Sequence, residues 1–146
     1  MTSPFLIPDL ERDEGLRLQA YPDPLTNAAP WTIGYGHTGR EVHPGLAWTP
    51  SQCVSALVAD VLATKQGLTS ALPWWTALDD LRQDCLVNQA FNIGVHGLLG
   101  FETYLGLVRG GEYGAAADDE IHTLWARQVG VRAQRIAQQM RTGVHA

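Results

Sequence analysis

The sequence predicts an α+β protein that is mostly helical, with one small antiparallel sheet near its N-terminus. Three observations lead there. Residues 16–48 are rich in turn formers between short alternating stretches, the pattern of brief strands joined by loops. From Thr49 onward apolar residues recur at helical spacing, as on one face of an amphipathic helix. Hydrophobic residues make up 45% of the 146 positions, enough to bury a core without disulfides or metal.

Taken in order, residues 1–14 read as a first helix, with Ser3-Pro4 as cap and N1 proline and Pro8 as a later alternative start. LRLQAY alternates apolar and polar, PDPLTNAAP is a loop, and WTIGYGHTG follows. These give two strands, with a third expected around Glu41–Val42. Thr49-Pro50-Ser51-Gln52 places a cap, an N1 proline and a capping-box glutamine in order. Val54, Leu57, Val58, Val61 and Leu62 then form the expected buried face of a helix reaching about Gly67. Leu78, Leu81, Cys85, Leu86, Ala90, Phe91 and Ile93 mark a central buried helix over 76–93, ended by Gly94. Shorter helices are expected over 101–109, 112–125 and 131–141, separated by glycines. The expected organisation is one domain over 1–146. A β-containing lobe (15–48) is joined by a linking helix (50–66) to a helical lobe (67–146) that includes the N-terminal helix. No long apolar stripe is left over once this core is assigned, so a monomer is expected.

Charge and composition exclude several functions. The net charge is −5, Lys65 is the sole lysine, and there is no basic run, which argues against nucleic acid as a partner. Cys53 and Cys85 fit no metal or CxxC spacing and read as small buried apolar residues. The five histidines show no ligand spacing, so neither metal nor cofactor is expected. The N-terminus lacks a basic start and no stretch approaches membrane-spanning length. The expectation is a cytosolic protein with no membrane insertion, unless something else releases it.

The chemistry-bearing segment runs from Glu14 to His37. Asp13 and Glu14 end the first helix, Asp23 lies in the loop, and Thr32 opens the strand Thr32-Ile33-Gly34-Tyr35-Gly36-His37. Paired carboxylates suit glycoside hydrolysis, in which an acid protonates the leaving oxygen and a second carboxylate activates water or attacks the sugar. Each residue also has an ordinary reading. A carboxylate at a helix end is a solvated charge, Asp23 between prolines is turn chemistry, and Gly34 and Gly36 permit a bend or the close approach of a ligand.

Glu14-Gly15-Leu16-Arg17-Leu18, Ala20-Tyr21-Pro22-Asp23 and Thr32-Ile33-Gly34-Tyr35-Gly36-His37 resemble the signature of the phage T4-type lysozymes, endolysins of glycoside hydrolase family 24. Asn88-Gln89-Ala90-Phe91-Asn92-Ile93-Gly94, Gly100-Phe101, Trp125, Arg132-Ala133-Gln134-Arg135 and Arg141-Thr142-Gly143 resemble later landmarks of that family in the same order. The resemblance runs from about Leu10 to Gly143. It implies a lysozyme-like fold and an enzyme that hydrolyses the β-1,4 bond between N-acetylmuramic acid and N-acetylglucosamine in bacterial peptidoglycan, with inversion.

Residue by residue, the resemblance implies that Glu14 is the general acid, Asp23 the second carboxylate and Thr32 the hydroxyl that helps hold the attacking water. For inversion the two carboxyl groups stand roughly 6.5–9.5 Å apart. Arg132 matches an arginine that pairs with the glutamate and orients it. That pairing opposes the rise in the Glu14 pKa that an apolar pocket would produce. His37 matches a histidine paired with Asp60, read as a structural charge pair rather than a catalytic base. Thr38, Phe91, Tyr104 and Asp119 fall where the family lines its cleft, while Phe101 and Trp125 read as core aromatics. The chain departs from the T4 pattern in a longer loop between Asp23 and Thr32, a shorter overall length and a negative charge. Host lysis implies release to the periplasm or wall with a partner such as a holin. The alternatives are a lytic transglycosylase, which needs no group to place water, and a non-catalytic wall-binding module on the same scaffold.

Overall fold

The computed structural model describes residues Met1–Ala146, which fall into two compact units, Ile7–Ala63 and Met1–Leu6 with Thr64–Ala146. The architecture is α+β, with seven α-helices and a three-stranded antiparallel sheet.

The smaller unit holds the sheet. Helix α1 (Leu6–Glu14) starts later than Ser3-Pro4 suggested. The Ser3 side chain accepts from the Phe5 N–H at 3.1 Å and bonds to Asp84, so it closes a turn ahead of the helix. Strand β1 (Arg17–Tyr21) pairs with β2 (Thr32–Gly34), and β2 with β3 (His37–Thr38). The third strand therefore comes directly after β2, not at Glu41–Val42. Gly34 and Gly36 take positive φ, 65° and 75°, which lets the chain reverse within two residues. Val42 is an apolar anchor, 7% exposed, on a turn in which its N–H bonds to the Gly39 carbonyl. The other edge of β1 is covered by residues 46–48, through Ala20 N–H to Leu46 O and Trp48 N–H to Leu18 O.

Helix α2 (Pro50–Ala71) starts with the predicted reciprocal cap. The Gln52 N–H donates to Thr49 Oγ1 at 3.2 Å, and the Thr49 N–H to Gln52 Oε1 at 2.8 Å. Its buried row is Cys53, Leu57, Val61 and Leu68, whereas Val54, Val58 and Leu62 are 38%, 51% and 56% exposed. The expected face was too wide, because the register turns on Cys53: the inward row runs through Leu57 and Val61 at i+4 and i+8 and resumes two turns on at Leu68. Cys53, Leu57 and Val61 join Leu10, Ile33 and Val42 as the core of this unit.

The larger unit is helical. A 3₁₀ turn (Pro73–Ala77) leads to α3 (Asp80–Leu99), capped by Asp79 Oδ2 accepting from the Arg82 N–H. Gly94, expected to end this helix, does break it at φ 80°, ψ 155°, a backbone that suits only glycine, and a further helical stretch continues to Leu99. Helices α4 (Glu102–Arg109), α5 (Tyr113–Ile121), α6 (Leu124–Val129) and α7 (Val131–Thr142) follow. The single helix expected over 112–125 is thus divided, because Thr123 caps a new one through the Ala126 N–H. Cys85, Leu86, Val87, Leu98, Val108, Ala117, Trp125, Ile136 and Met140 are among its core residues. Both cysteines are free and buried, as their spacing suggested. No helix is long and apolar enough to cross a membrane.

Candidate active site

Glu14 is the last residue of α1. Gly15 follows at φ 71°, its N–H still bonded to the Glu11 carbonyl at 3.1 Å. Glycine takes this left-handed helix end without strain, so the Glu-Gly pair leaves the carboxylate where the chain turns into β1.

The β2–β3 turn closes against that helix end. The Tyr35 hydroxyl donates to Glu11 Oε2 at 3.1 Å. Glu14 Oε2 lies 2.9 Å from the point that a Cβ would occupy on Gly36. Gly36 is therefore a glycine for two reasons, its positive φ and the carboxylate seated against it. Its signal in the sequence was legible as a close approach, but the group approaching is Glu14 rather than a ligand.

Asp23 and Thr32 sit at one end of the β1–β2 hairpin. Tyr21 is paired with Thr32, and Asp23 lies two residues beyond Tyr21. The lengthened loop is folded on Asp23 itself. Its Oδ1 accepts the Leu25 N–H at 2.8 Å, its N–H donates to Ala28 O at 2.9 Å, and its carbonyl accepts the Asn27 N–H at 2.7 Å. Asn27, at φ 55°, takes the left-handed position that asparagine tolerates. On the other side, Thr32 is paired with the exposed Thr38, and residues directly opposite in a sheet share a face.

His37 bridges two carboxylates, with Nδ1 2.7 Å from Asp60 Oδ2 and Nε2 2.5 Å from Glu41 Oε1. Its ring also packs 5.4 Å from that of Trp48. Burial alone would lower the imidazole pKa, but the hydrogen bonds to Glu41 and Asp60 outweigh it and hold the pKa above the usual value. Glu41 is held correspondingly below the carboxylate range. Glu41 was not anticipated as a second partner, although its i, i+4 spacing from His37 was visible.

In the helical unit, Arg132 is 8% exposed. Its Nε donates to Asn88 Oδ1 at 2.8 Å, and Nη2 to the Asn88 carbonyl at 3.4 Å. One turn along α3, Asn92 Oδ1 accepts Trp125 Nε1–H at 2.8 Å. Asn88, Phe91 and Asn92 share a helix face by their spacing. Phe91 and Asp119 are partly exposed, and Phe101 packs edge-on to Trp125 with centroids 6.4 Å apart. Tyr104 is the correction among the expected cleft residues. It is 0% exposed, because α4 turns it inward, so its phenol is a core group. No three His, Cys, Asp or Glu side chains converge as a metal site.

The fold and these residues define an α+β protein in which a helix-end carboxylate is seated against a glycine turn beside a short hairpin. The chain belongs to the phage lysozyme family, whose model matches residues 11–141. It is 31% identical to the pre-baseplate central spike protein Gp5 of Enterobacteria phage T4 over 92% of this chain and 27% of that protein. It is 38% identical to an endolysin of Bacillus phage PZA over 56% of this chain and 31% of the relative. With an endolysin of Salmonella phage P22 it shares 34% identity over 75% of this chain and 73% of the relative. The chain thus spans less than a third of the length of the first two of these relatives.

Proposed function

We propose that this chain is a glycoside hydrolase that cleaves bacterial peptidoglycan between N-acetylmuramic acid and N-acetylglucosamine, with inversion. The observation that carries this reading is Glu14 seated at the α1 terminus against Gly36, with Asp23 and Thr32 together at the hairpin end, in a chain of the phage lysozyme family. In this reading Glu14 protonates the leaving glycosidic oxygen. Asp23 takes a proton from a water that Thr32 helps to hold, and the water attacks the anomeric carbon from the opposite face. Arg132 orients Glu14, while Thr38, Phe91 and Asp119 contact the glycan. The His37–Asp60 pair is structural, since both of its nitrogens are engaged by carboxylates.

The protein acts as a monomer, passing from the cytosol to the wall with a holin. The likeness to a central spike protein over 92% of this chain favours a second setting, in which the same chemistry is carried as part of a larger phage assembly and needs no holin. Detection of the protein in purified particles, rather than only in the lysate, would select that setting.

Digestion of purified peptidoglycan, with muropeptides identified by mass spectrometry and the first-formed anomer by NMR, tests the reaction. Free reducing muramic ends of inverted configuration are expected. Products lighter by one water would make the enzyme a transglycosylase and leave Asp23 and Thr32 without their assigned task. Retained configuration would remove the water-holding role, and no products at all would point to a binding module.

A further inference from the structure

Behind the face of α3 that carries Asn88 and Asn92 lies a second, fully buried polar group that the proposed reaction does not use. Tyr104 on α4, Glu120 on α5 and Gln89 on α3 are each 0% exposed. None of the Tyr104 hydroxyl, the two Glu120 oxygens or the Gln89 amide atoms has a partner in strict hydrogen-bond geometry, although Tyr104 and Gln89 lie near enough to Glu120 to influence its ionisation. An ionised carboxylate in such a place is very costly unless a cation or a set of donors compensates it.

No cationic side chain is among the groups that act on the Glu120 carboxyl. From α3 come Gln89 and the Cys85 thiol, whose pKa is raised by burial and then by the proximity of Glu120. From α4 comes Tyr104. The helix α5 itself adds the charge of Asp119, which repels a second negative charge, while Asp118 is paired with Arg141. Helix α7 packs on α5 and buries Ala133, Ile136, Ala137 and Met140. Its Arg132 is bonded to Asn88, and its Gln139 to the Leu81 carbonyl. Helix α6 buries Trp125 and Ala126 and leaves Arg127 exposed.

We propose that Glu120 is held as a neutral carboxylic acid whose cluster with Tyr104 and Gln89 positions the α3 turn bearing Asn88 and Asn92, so that the order of this turn depends on pH. A neutral acid gains an O–H that can donate to Gln89 Oε1, an acceptor that Tyr104 and a carboxylate beside Asp119 would leave without a donor. Burial is the first cause that raises the Glu120 pKa, with Asp119 adding to it and Tyr104 and Gln89 opposing, and the result is about 8. The sign of the linkage is then fixed. The folded state holds a proton that the unfolded chain releases above about 4.5, so stability falls as pH rises from there towards 8 and levels off beyond it. Above 8 the charge forms inside the folded unit, next to Gln89.

Thermal unfolding of the full chain and of Glu120→Gln between pH 5 and pH 9 tests this. Glutamine keeps the shape and cannot ionise. The wild-type Tm is expected to fall by roughly ten °C more than that of Glu120→Gln between pH 5 and pH 8. Amides 88–92 should exchange hydrogen faster at pH 9 in the wild type than in the variant at matched intrinsic rates. Parallel Tm curves would overturn the neutral acid, and equal exchange would overturn the positioning role. If Glu120→Gln does not fold, the ¹³C carboxyl shift of Glu120 in the wild type decides. A protonated shift at pH 6 is the expected result, and an ionised one would overturn the proposal.

Discussion

Replacing Gly36 by alanine should cost activity well beyond its cost in stability. The residue sits at φ 75°, and an L-residue forced into the left-handed region loses roughly 1–2 kcal/mol. The added methyl would also stand 2.9 Å from Glu14 Oε2, closer than an ordinary van der Waals contact, so the carboxylate must retreat by about half an ångström. Misplacing a catalytic group by 1 Å can cost about a hundredfold, so half of that is worth on the order of tenfold in kcat. Gly34→Ala is the matched control. Its φ is 65°, but its new methyl would meet Cys53 at 3.4 Å, an ordinary contact, and no carboxylate. Both variants should unfold at lower urea concentration than wild type by similar amounts. Only Gly36→Ala should clear a peptidoglycan suspension about tenfold more slowly per folded molecule. Equal rates for the two variants would refute the claim that Gly36 seats Glu14.

Three further perturbations follow from the same geometry. Thr49→Ala removes one half of the reciprocal cap on α2 and should lower unfolding stability by about 1 kcal/mol, read by urea denaturation with activity unchanged. His37→Gln should destabilise by about 0.5–1 kcal/mol below pH 6.5. Because the folded imidazole pKa is raised, that difference should fade as pH climbs through it, while kcat stays within about threefold at every pH if the pair is structural. Asn88→Ala removes the side-chain oxygen that accepts from the buried Arg132 Nε and should cost about 1–3 kcal/mol in unfolding stability. It should also lower kcat more than it raises KM if Arg132 orients the acid.

Local signals were legible where one residue type forces one geometry. The Thr49–Gln52 cap, the break at Gly94 and the helix end at Gly15 each rest on a few neighbouring atoms, and the chain alone specifies them. Burial faces were harder to read. Val54, Val58 and Leu62 look as apolar as Leu57 and Val61, yet a small cysteine at position 53 sets the inward row. Tyr104 was misplaced for a related reason. Resemblance assigned it to a cleft position, whereas its burial follows from α4 packing against α5 and from the acid at position 120. Glu120 itself carries no sequence signal of burial, since an acidic residue after Asp118-Asp119 reads as part of a solvated charged face. The seating of Glu14 by Gly36 joins residues more than twenty positions apart, and only the tertiary turn reveals it.

Glu14 as the general acid is tested by comparing wild type with Glu14→Gln on purified peptidoglycan, at matched folded concentration confirmed by circular dichroism. The acid role of Glu14 predicts that glutamine, isosteric but unable to give up a proton, abolishes the release of reducing muramic ends while the protein stays folded. Glu14→Gln releasing those ends at the wild-type rate would contradict it.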